Sequence, residues 1–110
     1  MTSEMTAPSE VEVIVAGHRG DSEVAQQGLA SSDSRVRVAA LFALDRLGVL
    51  NSEQVESCLR DTEMDVRLAA AELSAKYSAD LTIALNDSEH LVVEMGAWAC
   101  GERESVSEDV

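Results

Sequence analysis

The sequence predicts an all-α protein, an α-solenoid in which three antiparallel helix pairs follow an N-terminal helix. Apolar residues within 33–48 recur with a helical period of 3.6, at Val36, Ala39, Ala40, Ala43, Leu44 and Leu47. The same register returns twice downstream, with Val66 and Val92 in the place of Val36. The hydrophobic fraction of 45% comes largely from Ala, Val and Leu, with one Phe, one Trp and one Tyr, which favours close-packed helices.

The N-terminal region divides into a tail and a helix. Residues 1–8 show no periodicity, which predicts a flexible tail. Ser9 and Glu12 form the S-x-x-E pattern of a capping box, and Gly17 and Gly20 mark the end of the helix that it opens. The β-branched run at 11–15 also fits a strand by alternation. We favour the helix because no other segment offers this run a strand to pair with.

Three units of similar pattern follow, and each has a short helix, a tight turn and a longer helix. The predicted first helices are 22–30, 52–60 and 79–85, and the predicted second helices are 34–47, 63–77 and 89–103. A Leu precedes the reference Val by seven residues in every unit, at Leu29, Leu59 and Leu85. Because one helix pair cannot bury its apolar face alone, repeated pairs are expected to stack. We therefore predict one repeat domain over 9–103 and a polar tail over 104–110.

The strings D-S-R-V-R-V-A-A-L-F-A-L-D-R-L-G and T-E-M-D-V-R-L-A-A-A-E-L resemble HEAT repeats of the short type found in phycobilin-lyase-related proteins. The resemblance covers 21–103 and is closest in the first two units. The third unit departs from the pattern, since Val92-Val93 stands in place of Val-Arg and Met95-Gly96 in place of paired Ala.

The resemblance implies that the Arg of each Val-Arg pair, Arg37 or Arg67, meets an acidic turn residue of a neighbouring repeat. The candidate acceptors are Asp33, Asp61, Glu63 and Asp65. Such pairs would form a structural ladder between repeats. The ladder is expected to stop before the third unit, because Val93 replaces the Arg there.

The charge limits the choice of partner. The formal net charge is −13, from 21 acidic and 8 basic residues. A domain this acidic repels nucleic-acid phosphates and anionic membranes, so we expect neither as a partner. A basic protein partner is compatible with this charge, and so is a solvated acidic surface that only aids solubility. The sequence has no signal-peptide pattern, no membrane-length apolar run and no CxxC, so we expect a cytoplasmic protein.

The sequence suggests no catalytic, metal or cofactor site. His18 and His90 have no second metal ligand in a pattern typical of zinc or iron sites. No nucleophile lies beside a base, and no Gly-rich phosphate loop is present. The HEAT-like hydroxylases that bind iron use His-Glu dipeptides, whereas this chain has only Glu89-His90. We therefore predict that the protein is not an enzyme and carries no cofactor.

Functional residues are expected where the three units disagree, at Val93, Glu94 and Trp98. Trp98 is a candidate partner-binding residue because Trp is enriched at interface hot spots, and the alternative is that it covers the end of the core. The last helix keeps its apolar pattern, which is compatible with end-to-end self-association and with continuation into a longer array.

The predicted function is a non-enzymatic HEAT-repeat scaffold or adaptor that mediates protein–protein interaction. The alternative, which the phycobilin-lyase resemblance implies, is an accessory or chaperone-like protein acting on a partner that carries a small molecule.

Overall fold

The computed structural model describes residues 7–108, with side chains through Glu104, and these residues form helices and no strand. The predicted all-α class is therefore confirmed. The contacts group the chain into two compact units, Met1–Leu50 and Asn51–Val110, and the predicted repeat domain of 9–103 spans both. The stacking of the helix pairs into a solenoid stays a prediction.

The first unit contains α1 (Glu10–Arg19), α2 (Ser22–Leu29) and α3 (Ser34–Leu47). The predicted capping box begins α1: the Glu12 amide donates to Ser9 Oγ at 3.1 Å, and the Ser9 amide donates to Glu12 Oε1 at 2.8 Å. Residues 11–15 are therefore helical. Gly48 ends α3 in the left-handed region, with a φ of 75°, as expected for a glycine stop.

Helix α3 is the centre of the first unit and packs against both α1 and α2. Because it has two neighbours, it is buried over a wider face than its main apolar stripe, and Leu41 is as fully buried as Ala40 and Leu44. The backbones approach closely, since a Cβ added at Gly17 would lie 2.9 Å from Ala43 Cβ. The small residues of the stripe permit this approach.

The second unit contains α4 (Ser52–Leu59), α5 (Met64–Leu73), α6 (Thr82–Leu85) and α7 (His90–Glu108). Helix α5 ends at Leu73, before the predicted end at 77, and α6 has only four residues. Helix α7 continues through 104–108, where the sequence predicted a polar tail over 104–110, and 109–110 lie outside the described residues. Of the predicted N-terminal tail, 1–6 lie outside the described residues, and Ala7 and Pro8 have no regular secondary structure.

The turn before each long helix is the same in all three repeats. Ser31, Asp61 and Asp87 each stand five residues before the reference Val. Each side chain accepts a hydrogen bond from the amide two residues later, at 3.1, 2.9 and 2.8 Å respectively. These Asx- or Ser-type turns satisfy a backbone donor just before the helix begins. The sequence repeat therefore corresponds to a repeated local structure.

No helix within residues 7–108 combines the length and apolar character that a membrane span requires.

Candidate functional site

Helix α7 carries two adjacent faces of different exposure. Val92, Gly96 and Ala99 form a buried face. This face lies against α6, because a Cβ added at Gly96 would be only 2.8 Å from Ala84 Cβ. The second face lies beside the first and begins one residue earlier in the sequence. It has the helical spacing i, i+3, i+4 and i+7 and consists of Leu91, Glu94, Met95 and Trp98. This second face is largely open to solvent.

The open face of α7 meets two residues of α5, Leu68 and Glu72. Together these six residues line an open groove of about 440 Å³, here named the α5–α7 groove. Trp98 is 48% exposed and Leu91 is 54% exposed, whereas Leu68 and Met95 are half-buried. The groove is thus an apolar surface with large side chains left in contact with water.

The charge at the groove is negative. Its lining includes Glu72 and Glu94 and no basic residue. The sequence of residues 51–110 has 14 acidic and 4 basic residues, a net charge of −10. Glu94 Oε2 lies 2.7 Å from His90 Nε2, and both side chains are well exposed.

Two basic residues of the second unit bind groups of the protein itself. Arg67 Nε donates to Asp87 Oδ2 at 2.8 Å, and Arg67 Nη1 donates to the Asp61 carbonyl oxygen at 3.0 Å. Arg103 donates to the carbonyl oxygens of Ser74 at 2.8 Å and Ala79 at 2.9 Å, and also to that of Tyr77. Sequence reasoning missed Arg103, whose acceptors lie 24 to 29 residues away.

The two arginines of the predicted ladder, Arg37 and Arg67, both bind groups in the turns before the long helices. The carboxylate that Arg67 binds is Asp87, which was not among the predicted acceptors although it lies in the turn of the following repeat. The register was the signal that could have found it, since Asp87 stands in the place of Asp61. Arg37 Nη1 donates to the Ser31 carbonyl oxygen at 2.8 Å, which repeats the bond from Arg67 to Asp61.

Three of the four predicted acceptors, all except Glu63, accept a hydrogen bond from a residue close to them in sequence. Asp33 forms an exposed ion pair with Arg35 at 3.1 Å, and hydrogen bonds from Arg35 lower the pKa of the Asp33 carboxyl. The Asp61 carboxylate accepts from the Glu63 amide at 2.9 Å. The Asp65 carboxylate accepts from the Val66 amide at 3.0 Å.

The three predicted partner-binding residues separate into two groups. Trp98 and Glu94 both line the α5–α7 groove, whereas Val93 is half-buried and does not. Leu68 and Glu72 complete the groove from the neighbouring helix.

The first unit has its own groove, between α1 and α3, of about 560 Å³. Ile14 and Phe42 are its exposed apolar residues, at 45% and 39% exposure. Its lining mixes both charges, with Glu10, Asp45, Arg35 and Arg46. It therefore lacks the uniform acidity of the α5–α7 groove.

Among residues 7–104, no three or more His, Cys, Asp or Glu side chains converge as metal ligands. Cys58 is buried and Cys100 is half-buried, and neither forms a disulfide.

Comparison with models of known protein families gives no match to this chain, and no curated protein matches it significantly. The likeness to HEAT repeats therefore stands on the residues quoted above.

Proposed function

We propose that the chain is a non-enzymatic, HEAT-like helical module that binds a protein partner through the α5–α7 groove. The observation that carries the proposal is the exposure of Trp98, the single tryptophan of the sequence, beside the more exposed Leu91. Tryptophan is enriched among residues that dominate binding energy, and apolar groups clustered in a groove are typical of interaction sites.

The hydrophobic effect provides the driving force for binding a partner in the groove. Burying apolar surface contributes roughly 25 cal/mol per Å², so covering the exposed parts of Trp98 and Leu91 favours association. Met95 is unbranched and adapts to partners of different shape. Leu68 and Met95 are already half-buried, so the partner needs to cover only the remaining exposed part of these side chains.

Helices α5 and α7, which form the groove, are joined by hydrogen bonds near both ends of α5. Near the start of α5, Arg67 binds Asp87, which lies just before α7. Near the far end of α7, Arg103 binds the Ser74 carbonyl, which lies just after α5. The two helices therefore run in the same direction, as corresponding helices of successive repeats do. A preformed groove loses little conformational entropy on binding, which supports its use as a docking site.

Quantitative affinity capture from a native cell extract tests this proposal. The wild-type chain is compared with Trp98→Ala and Leu91→Ala, after circular dichroism has shown that each variant keeps its helix content. Val11→Ala is the matched control, because Val11 is 68% exposed and lies in the first unit. The proposal expects one set of proteins to be lost with both groove variants and kept with the control. Identical sets from all four chains would overturn it.

A further inference from the structure

We infer that the segment bound in the α5–α7 groove is a basic amphipathic helix, with Lys or Arg side chains beside its apolar face. This inference rests on the proposed function and adds the chemical class of the partner. It follows from the two kinds of residue that line the groove, which are large apolar side chains and carboxylates.

The carboxylates select the charge of the partner. Glu72 comes from α5 and Glu94 from α7, so both helices present negative charge to the same groove. The net charge of −10 over residues 51–110 adds a field of the same sign, which attracts a basic segment and repels an acidic one. A second copy of this chain carries −13 and is therefore a poor occupant.

Trp98 and Glu94 both suit a cationic side chain. The face of an indole attracts an ammonium or guanidinium group, most strongly where water is excluded. Glu94 already lies near His90, but both side chains are more than half exposed, and exposed pairs of this kind are weak. A Lys or Arg of the partner can therefore take the place of His90 at Glu94.

The apolar spacing selects the shape of the partner. Leu91, Met95 and Trp98 stand at i, i+4 and i+7 on α7, so they extend over about 10 Å along its axis. Two turns of a partner helix have the same length and place their own apolar residues at the same spacing. A helical segment thus covers all three side chains at once.

The test uses fluorescence of the intact chain, because the single Trp98 reports directly on the groove. The probe is an amphipathic Leu/Lys peptide of about 14 residues without aromatic groups, and the comparison is a Leu/Glu peptide of the same pattern. We expect the Leu/Lys peptide to shift Trp98 emission saturably at physiological salt and the Leu/Glu peptide to leave it unchanged.

Charge variants make the test specific for the groove. Glu72→Gln with Glu94→Gln should raise the Kd of the Leu/Lys peptide about tenfold, which corresponds to two weak ion pairs. Glu53→Gln with Glu104→Gln removes the same charge from exposed positions of the second unit outside the groove lining and should change the Kd less than about twofold, because salt screens charges that do not contact the peptide.

Three results overturn the inference. The first is an equal change in the Kd of the Leu/Lys peptide with both double variants. The second is a Trp98 emission that the Leu/Lys peptide leaves unchanged. The third is a Trp98 emission that shifts with protein concentration alone, which would make a second copy the occupant. If proteins captured from cell extract nevertheless depend on Trp98, the proposed function stands and only the basic partner is rejected. If the capture is also independent of Trp98, both are rejected.

Discussion

Arg67 donates to both carboxylate oxygens of Asp87, from Nε at 2.8 Å and from Nη2 at 3.4 Å, and this pair connects α5 to the turn before α7. Only 15% of the Arg67 side chain and 6% of the Asp87 side chain are exposed. The same Arg67 binds the Asp61 carbonyl oxygen, so one guanidinium joins the turns of two successive repeats. This junction therefore links the two helices that line the α5–α7 groove.

Asp87→Asn should lower the free energy of unfolding by about 2 kcal/mol. Asn keeps the size of the side chain and its acceptor for the Glu89 amide, but it leaves the largely buried Arg67 charge without a carboxylate. Urea denaturation followed by Trp98 fluorescence measures the change. Asp33→Asn is the control, since the Asp33–Arg35 pair is exposed and should matter much less. Equal losses from the two substitutions would show that the Arg67–Asp87 pair has no special role.

Arg103→Lys should destabilise the segment between α5 and α6. Lys is a single charged point and lacks the planar fork of donors with which Arg103 binds three carbonyl oxygens around this segment. We expect a loss of about 1–2 kcal/mol in unfolding free energy and faster amide exchange over 74–81. Hydrogen exchange measured peptide by peptide checks this. Arg60→Lys serves as the control at an exposed position of the same unit, and matching exchange in the two variants would contradict the assignment.

Two glycines of α7 should respond in opposite directions to substitution by Ala. At Gly96 the added Cβ meets the rigid Ala84 Cβ at 2.8 Å, so overpacking outweighs the gain in helix propensity and the net loss is about 1 kcal/mol. At Gly101 the added Cβ has nothing within 4 Å, so the gain of about 0.5–1 kcal/mol in propensity remains. Thermal unfolding of both variants measures the two signs. Stabilisation by Gly96→Ala would mean that α6 and α7 are not in close contact.

Asp80 should titrate below its ordinary pKa of 3.8, because the Thr82 hydroxyl and amide donate to its carboxylate and lower its pKa. A lowered pKa in the folded state stabilises the protein above pH 3.8. This stability is lost as the pH falls through the lower, folded-state pKa. Thr82→Val replaces the hydroxyl with a methyl group and keeps the amide, so the pKa of Asp80 should rise toward 3.8, as read from the NMR shift of its carboxyl carbon. The pKa of Asp33, which Arg35 lowers, should not move. An Asp80 pKa that is the same in both proteins would contradict the assigned cause.

Local signals in the sequence predicted the local structure well. The capping box needs only residues three apart, so Ser9 and Glu12 are sufficient to place the start of α1. The glycine stop at Gly48 is equally local. The end of α5 was predicted too late, since the helix ends at Leu73 and the backbone turns there, with the Lys76 amide donating to the Leu73 carbonyl oxygen at 2.9 Å. The Ser74 carbonyl accepts from Arg103, which is 29 residues away, and no local pattern reports such a contact.

The candidate site was only partly visible in the sequence for the same reason. Trp98 and Glu94 stood out because they depart from the repeat pattern. Leu68 looked like an ordinary helix residue, and only the packing of α5 beside α7 brings it to the groove. Val93 also departs from the pattern, but its place on α7 directs it away from the groove lining.

Site-specific photo-crosslinking in native cells tests the central claim most directly. A photoreactive analogue of leucine, which keeps the apolar side chain, replaces Leu91 inside the α5–α7 groove or, as the control, Glu53 at an exposed position of α4. A protein-binding groove predicts a discrete adduct from position 91 that disappears with Trp98→Ala and is competed away by the Leu/Lys peptide, and no such adduct from position 53. The same adducts from both positions, or an adduct at position 91 that persists without Trp98, would contradict the claim that this groove binds a protein partner.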